Sequence, residues 1–332
     1  MHTFLLELLE CPDCHGVLDW TIAQETAGCI EQAEARCRAC GASYPVRDGI
    51  GIFLLPDLPR NDMWEQAGTG LGAYLREHPE VQRQLMEPPA GALNPADQFF
   101  RAMTLEDQGR YGEAQALETL ANAGVYTPEY MRCWSSQIDY VAAQLAGGDT
   151  PVVDLASGRA YLAEQLLRRL DRPVVVTDFS ARVLRRDRAW LGAAGLLERA
   201  SLLAFDARRT PFKDKALATL TTNLGLPNIA EPGSLLAELR RITAGTFYAV
   251  SHFYPEDDAA NRSAIRAAGL EPMLYRSMAL PAFEAVGWRV EVENACTGAA
   301  RPTPTSALLE GAGIDTFPVA ETHLEWCVLR AR

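Results

Sequence analysis

From residue 148 to residue 332, short apolar or β-branched runs alternate with helix-patterned stretches. That order predicts βαβ units and a parallel sheet. The runs lie at 152–155, 174–177, 202–205, 217–222 and 246–251. Each is continuous rather than alternating, as a strand buried on both faces requires. Residues 161–170 and 234–243 read as helices between them, and 281–286 as a further helix. Residues 288–292 and 324–329 then suit an antiparallel hairpin at the end of the sheet, with 295–320 inserted between its arms. The expected fold class is α/β: a Rossmann-like, seven-stranded sheet with helices on both faces.

Two further regions precede it. Residues 58–147 are rich in Ala, Gln, Glu and Leu, with Pro88-Pro89 and glycine breaks at 68, 70 and 72, and predict several helices forming a linker and substrate cover. Residues 1–57 hold five of the eight cysteines. Cys11-Pro12-Asp13-Cys14 and Cys37-Arg38-Ala39-Cys40 form two CxxC pairs with 22 residues between them. Two such knuckles complete a tetrahedral shell of four thiolates for Zn²⁺, provided the intervening segment folds back as a hairpin. With no open coordination position, such a ribbon is structural. Cys29 and His15 are the alternative ligands nearby, but neither sits in a knuckle. A redox pair is disfavoured, because no thioredoxin-like βαβ pattern surrounds the motif.

Charge narrows the partners. The 332 residues carry a net charge of −12, which lacks the basic footprint of a dedicated nucleic-acid binder. The balance is uneven: residues 1–60 hold four Arg against nine acids, and residues 151–200 hold nine Arg against six. Arg182, Arg185, Arg186 and Arg188 read as a solvated helix surface. No apolar run approaches the roughly 20 residues that span a bilayer. The first ten residues lack a basic leader, so a cytoplasmic location without membrane partners is expected.

The expected site lies where strands end. In an open α/β sheet, ligands bind beyond the carboxyl ends of the strands. The first strand runs into Asp154-Leu155-Ala156-Ser157-Gly158-Arg159-Ala160, a small-residue turn before a helix. Asp178 ends the second strand about 20 residues past the turn, placed to accept ribose hydroxyls. Phe179 follows it and can pack on a base. Asp206-Ala207 follow the third strand, where a carboxylate can accept from an adenine amino group. Asn223 opens the loop after the fourth, and His252 follows the fifth.

These segments resemble class I S-adenosylmethionine-dependent methyltransferases over roughly residues 130–330. The shared features are the strand–turn–helix at 152–162, Asp178-x-Ser180-x-x-x-Leu184, and Asp206-Ala207 followed by Thr210-Pro211-Phe212-x-Asp214. The amino-terminal part is similar to short zinc-ribbon proteins that activate tRNA, rRNA and protein methyltransferases. It shares Cys11-Pro-x-Cys14-x-Gly16-x-Leu18, Cys37-x-x-Cys40 and Tyr44-Pro45-x-x-Asp48-Gly49-Ile50. A ribbon ahead of such a domain also resembles a bacterial large-subunit rRNA guanine methyltransferase family. The resemblance implies methyl transfer, with S-adenosylmethionine and structural zinc as cofactors. Asp154, Ala156, Ser157, Gly158, Asp178, Phe179, Asp206, Ala207 and Asn223 would line the cofactor. Asp154 would organise the loop or meet the methionine amino group.

Two departures bear on this. The family turn is Asp-x-Gly-x-Gly-x-Gly, and its first and third glycines are here Ala156 and Ala160. Alanine at a left-handed position costs on the order of 1 kcal/mol. The Asn-Pro-Pro-aromatic loop of many base N-methyltransferases is replaced by Asn223-Leu224-Gly225-Leu226. The acidic balance favours a small molecule or other non-nucleic-acid acceptor, with His252 as a candidate general base and Asn223 beside the reacting group. An RNA acceptor, or a non-catalytic module with an altered glycine turn, are the alternatives. A dinucleotide-dependent dehydrogenase ranks below them, because its turn requires the glycines more strictly.

Overall fold

The computed structural model describes residues 1–57 and 63–332; of the region read as a helical cover, residues 58–62 lie outside the described residues. The chain opens with two antiparallel hairpins, β1 (Leu18–Thr26) with β2 (Cys29–Cys37) and β3 (Ser43–Arg47) with β4 (Ile50–Ile52). Five helices follow: α1 (Met63–Glu77), α2 (Pro79–Met86), α3 (Pro95–Asp107), α4 (Tyr111–Val125) and α5 (Pro128–Leu145). The alternating part comprises β5 (Val152–Leu155), α6 (Tyr161–Arg169), β6 (Val174–Asp178), α7 (Ala181–Ala193), β7 (Ala200–Ala204), β8 (Leu217–Asn223), α8 (Pro232–Ile242) and β9 (Thr243–Phe253). It ends in α9 (Ala259–Ala267), α10 (Glu271–Leu274), α11 (Arg276–Ala285), β10 (Val290–Ala300) and β11 (Thr322–Ala331).

Helix starts are written locally. Asn94 caps α3 by accepting from the Asp97 amide at 2.8 Å, and Thr127 caps α5 by accepting from the Tyr130 amide at 3.1 Å. Pro95 and Pro128 follow at the first helical positions, where a missing N–H costs nothing. In α5, Cys133, Gln137, Ile138, Val141, Ala142 and Leu145 are buried, at the spacing of one helix face.

All strands among the described residues join one sheet in the order β1-β2-β3-β4-β7-β6-β5-β8-β9-β11-β10. The seven from β7 to β10 are the expected Rossmann-like sheet; β7 to β9 run parallel, and β11 is antiparallel to both its neighbours. Successive residues of each buried strand serve opposite layers. Val152, Val174 and Val176 pack with α5, α6 and α7. Val153, Leu155 and Phe247 pack with Leu235, Leu236 and Leu239 of α8 and Phe283 of α11. The final hairpin is longer than its apolar runs suggest. β10 continues to Ala300 through an irregularity at Asn294, so the insertion starts after residue 300. Trp288 lies outside the strand, anchored by its indole N–H on the Leu236 carbonyl at 3.1 Å.

Four ribbon strands extend this sheet. Ile50, Gly51 and Ile52 pair in parallel with Leu202, Leu203 and Ala204, and the Phe53 amide donates to the Ala204 carbonyl at 2.8 Å. Leu5, Leu9, Ile30, Tyr44, Val46 and Phe53 consequently share a core with Leu203, Phe205 and Phe212. The pairing depends on Gly51: a Cβ there would lie 2.7 Å from a Leu203 methyl and 2.9 Å from the Phe53 ring. Gly51→Val is expected to overpack this seam and cost about 1–3 kcal/mol. Urea unfolding of the full chain measures it, and an unchanged midpoint would contradict the close approach.

Candidate nucleoside site and zinc ribbon

The β1–β2 hairpin brings the two knuckles together. The sulfurs of Cys11, Cys14, Cys37 and Cys40 all lie within 4.8 Å of one another, with 3.4 Å between Cys14 and Cys37 and 3.7 Å between Cys11 and Cys40. Tetrahedral Zn–S bonds of about 2.3 Å place sulfurs about 3.8 Å apart, so the four thiols fit a structural zinc ion. Gly16 permits the closeness: a Cβ there would lie 2.8 Å from the Cys37 sulfur and 3.2 Å from that of Cys14. Cys29 and His15 lie outside this cluster; His15 instead meets Glu10 at 2.7 Å.

The strand order reverses between β5 and β8, which makes their carboxyl ends the topological switch point of the sheet. The turn after β5 is fastened to the end of β6. The Ser157 amide donates to the Thr177 carbonyl at 2.7 Å, and the Gly158 amide donates to Asp178 Oδ2 at 3.0 Å. Asp178 Oδ1 accepts from the Ser180 amide at 3.0 Å, and the Ser180 hydroxyl caps α7 by accepting from the Arg182 and Val183 amides. Ala156, Gly158 and Ala160 all have positive φ, at 50°, 55° and 58°. Both alanines therefore occupy the left-handed region that glycine ordinarily fills. The room that a glycine at 156 would leave is recovered opposite. A Cβ at Gly225, in the loop after β8, would fall 2.9 Å from the Ala156 methyl.

Asp154 is wholly enclosed. Its Oδ1 accepts from the Thr221 hydroxyl at 2.7 Å, tying β5 to β8, and its Oδ2 has no partner. Burial pushes its carboxyl up to about 7. Phe179 is half-buried after β6. Ala207 is buried past the end of β7, beside Asp206, whose carboxylate is gripped by the Arg208 guanidinium at 2.7 Å and 3.0 Å. Asn223 ends β8 and accepts the Trp134 indole N–H at 3.0 Å. His252 lies opposite Trp326 in the β9–β11 ladder with ring centres 5.0 Å apart. Its Nδ1 is sealed without a partner, and burial pulls its pKa down to about 4. It is thus a neutral, half-buried imidazole at neutral pH. A groove of about 800 Å³ between α11 and the β9–β11 edge, lined by Tyr254, Arg276, Leu280, Glu284, His323 and Glu325, includes none of the expected cofactor residues.

A second cluster was not legible in the sequence. Arg159 donates to Glu106 at 2.7 Å and to Glu118 at 3.1 Å, Arg186 grips Glu106 at 2.7 and 2.9 Å, and the Tyr161 hydroxyl donates to Glu118. Arg159, Glu106 and Glu118 are all buried. The arginines of α7 are in part internal: Arg186 also meets Asp187 at 2.9 Å, and Arg188 meets Glu31 of the ribbon at 3.1 Å.

A seven-stranded sheet of this order, with its switch-point turn fastened to an acid at the end of the neighbouring strand, has the fold expected of a class I methyltransferase domain, here with a four-thiol ribbon built onto its edge. Residues 152–245 match the methyltransferase domain family, and residues 2–49 match the Trm112p-like protein family. The chain is 44% identical over 54 residues to a UPF0434 protein of Bordetella petrii, covering 16% of this chain and 75% of that protein. Through its amino-terminal ribbon the chain belongs to that Trm112p-like family. It is 36% identical over 103 residues to the demethylmenaquinone methyltransferase of Thermobifida fusca, covering 31% of this chain and 43% of that protein. It is 26% identical over 184 residues to a ubiquinone/menaquinone biosynthesis C-methyltransferase of Acidiphilium cryptum, covering 55% of this chain and 66% of that protein. The chain thus spans less than two thirds of either quinone methyltransferase.

The enclosed Asp154 makes stability depend on pH. Its folded carboxyl titrates near 7, against about 3.9 when unfolded. Between these values the folded state holds a proton that the unfolded chain has released, so this contribution falls as pH rises through the window. Asp154→Asn carries no such charge. Relative to the parent it should gain on the order of 2–4 kcal/mol between pH 4.5 and pH 8. Urea unfolding of both proteins at the two pH values checks this, and a pH-independent difference would contradict it.

Proposed function

We propose that the chain binds S-adenosylmethionine at the β5–β8 switch point and methylates a small-molecule acceptor. The observation that carries the reading is the Ser157-Gly158 turn fastened to Asp178. An ionised carboxylate has about four acceptor sites. Asp178 gives one to Gly158 and one to Ser180, which fixes its carboxylate at the strand end where ribose hydroxyls would be met. Asp206, held by both the guanidinium and the backbone amide of Arg208, lies just past β7, where an adenine amino group would lie, and the half-buried Phe179 supplies an apolar ring for the base. Asn223 has its oxygen occupied by Trp134, so its amide donors remain for a ligand. Asp154, enclosed beneath the turn, acts by joining β5 to β8.

When bound, the sulfonium supplies an activated methyl group for in-line displacement, and the chain's part is alignment and exclusion of water. His252, pulled down to about 4, is a poor proton acceptor at neutral pH. Trp134, Tyr130 and Trp326 pack around these strand ends, a cover suited to a compact organic acceptor. The net charge of −12 and the pairing of Arg186 with the buried Glu106 speak against an RNA-binding face. No helix among the described residues is long and apolar enough to cross a membrane. Four clustered zinc-competent thiols, with the other four cysteines unpaired, suit a reducing, cytoplasmic setting.

Calorimetry with S-adenosylmethionine and S-adenosylhomocysteine on the zinc-loaded chain tests this. Asp178→Asn should weaken both at least tenfold, the scale of one lost charge-assisted hydrogen bond of about 1.5–3 kcal/mol. Absence of parent binding to either nucleoside would overturn the reading. Binding without methyl transfer to any acceptor would leave a non-catalytic module.

A further inference from the structure

The turn at the switch point is held in a shape that two of its residues disfavour. Ala156 and Ala160 flank Gly158 at φ 50° and 58°, where a Cβ crowds the following carbonyl oxygen. Strained conformations of this kind persist only where the surroundings over-determine them. Arg159 connects the turn to such surroundings. Its guanidinium leaves the turn and enters the cover helices, donating to Glu106 of α3 at 2.7 Å and to Glu118 of α4 at 3.1 Å. It also lies over the Phe99 ring, 5.2 Å from its centre. The Arg159 carbonyl accepts from Arg186 at 3.1 Å, while the same Arg186 grips Glu106. The turn is thus gripped through both the side chain and the backbone of one residue. A planar guanidinium can meet two carboxylates at fixed angles, and an ammonium point charge cannot.

We propose that Arg159 is a positioning residue for the nucleoside turn: its ion pairs to Glu106 and Glu118 hold residues 156–160 in the left-handed shape that glycines would adopt unaided. The proposal rests on the reading of this turn as the S-adenosylmethionine site. It gives α3 and α4 a task beyond covering the acceptor, because they brace the turn from outside. Coupling of this kind is reciprocal, so a nucleoside on the turn also strengthens the docking of α3 and α4.

The test compares the zinc-loaded parent with Arg159→Met, Arg159→Lys, Glu118→Gln, the pair Ala156→Gly/Ala160→Gly, and that pair combined with Arg159→Met. One readout is the Kd for S-adenosylhomocysteine. The other is native-state hydrogen exchange at the Ser157 and Gly158 amides without nucleoside. Arg159→Met should weaken binding about thirtyfold and speed both amides by a similar factor, the scale of two left-handed alanines released. Arg159→Lys and Glu118→Gln should fall between it and the parent, and they keep the test alive if the methionine variant does not fold. The glycine pair should restore the affinity of Arg159→Met to within about threefold of the parent. Unchanged exchange at Ser157 and Gly158 in the folded Arg159 variants overturns the proposal. So does a lost affinity that the glycines fail to restore in samples that keep their zinc. A parent that binds neither nucleoside defeats the functional reading instead, and the exchange data then still decide whether Arg159 holds the turn.

Discussion

One uninterrupted hydrogen-bond ladder organises this molecule. The parallel pairing of Ile50–Ile52 with Leu202–Ala204 carries the sheet from the thiol cluster to the strand that bears Asp206. Without it, β7 would be an edge strand with a row of unpaired backbone groups, which is both a loss of hydrogen bonds and an invitation to aggregation. With it, the exposed edge moves out to β1, a strand whose side chains are mostly solvated. The ribbon is too small to build a stable core alone, since short domains bury too little surface. It resolves this by sharing Leu203, Phe205 and Phe212 with the larger domain. Four sulfurs at zinc-compatible distances fix the hairpin at one end, and the sheet fixes it at the other. Ribbon order and order at the third strand of the nucleoside edge are therefore mechanically joined.

What the sequence made legible follows its shortest-range physics. Continuous apolar runs placed the strands of the alternating region, because burial on both faces leaves no polar alternation to misread. The CxxC knuckles announced their own convergence, because two residues of spacing and a hairpin suffice. Asp178 and Asn223 at strand ends and Asp206 just past β7 followed from the strand pattern, whereas His252, expected after its strand, lies within β9 opposite Trp326 because that strand runs on to Phe253. The eleven-stranded extent of the sheet was not legible. The three residues that make the joint, Ile50, Gly51 and Ile52, pair with partners some 150 positions later, and nothing local marks that choice. The Arg159 cluster was hidden for the same reason: Glu118 and Glu106 lie 41 and 53 residues before it. Charged residues on amphipathic helices read as solvated unless the fold says otherwise. The neutrality of His252 is equally a tertiary fact, set by its enclosure against Trp326.

The alanines of the turn show how local rules and global structure trade. A glycine-poor turn would be expected to relax into another shape, and with it to lose the alignment of Ser157 and Gly158 against β6. The turn instead keeps positive φ at 156, 158 and 160. Glycine has moved elsewhere, to position 225, where it faces the Ala156 methyl across the crevice. The two loops that bound the switch point thus share one volume, filled from the β5 side. A methyl group on that wall narrows the crevice where a ligand's backbone contacts would fall, and it removes conformational freedom from the unfolded chain at the same time. Crevice width and stability are then set by the same few atoms. The buried ion pairs beside them extend that link to the cover helices. Buried charge is costly unless geometry and pairing are complete, and here each charged group has a partner: Arg159 and Arg186 share Glu106, Arg159 also meets Glu118, and Arg186 also meets Asp187. Such a network is intolerant of partial docking, because a small retreat of α3 or α4 would strand charges in a dry interior. α3 and α4 are therefore expected to dock as a unit rather than by degrees, and the turn they grip shares that equilibrium.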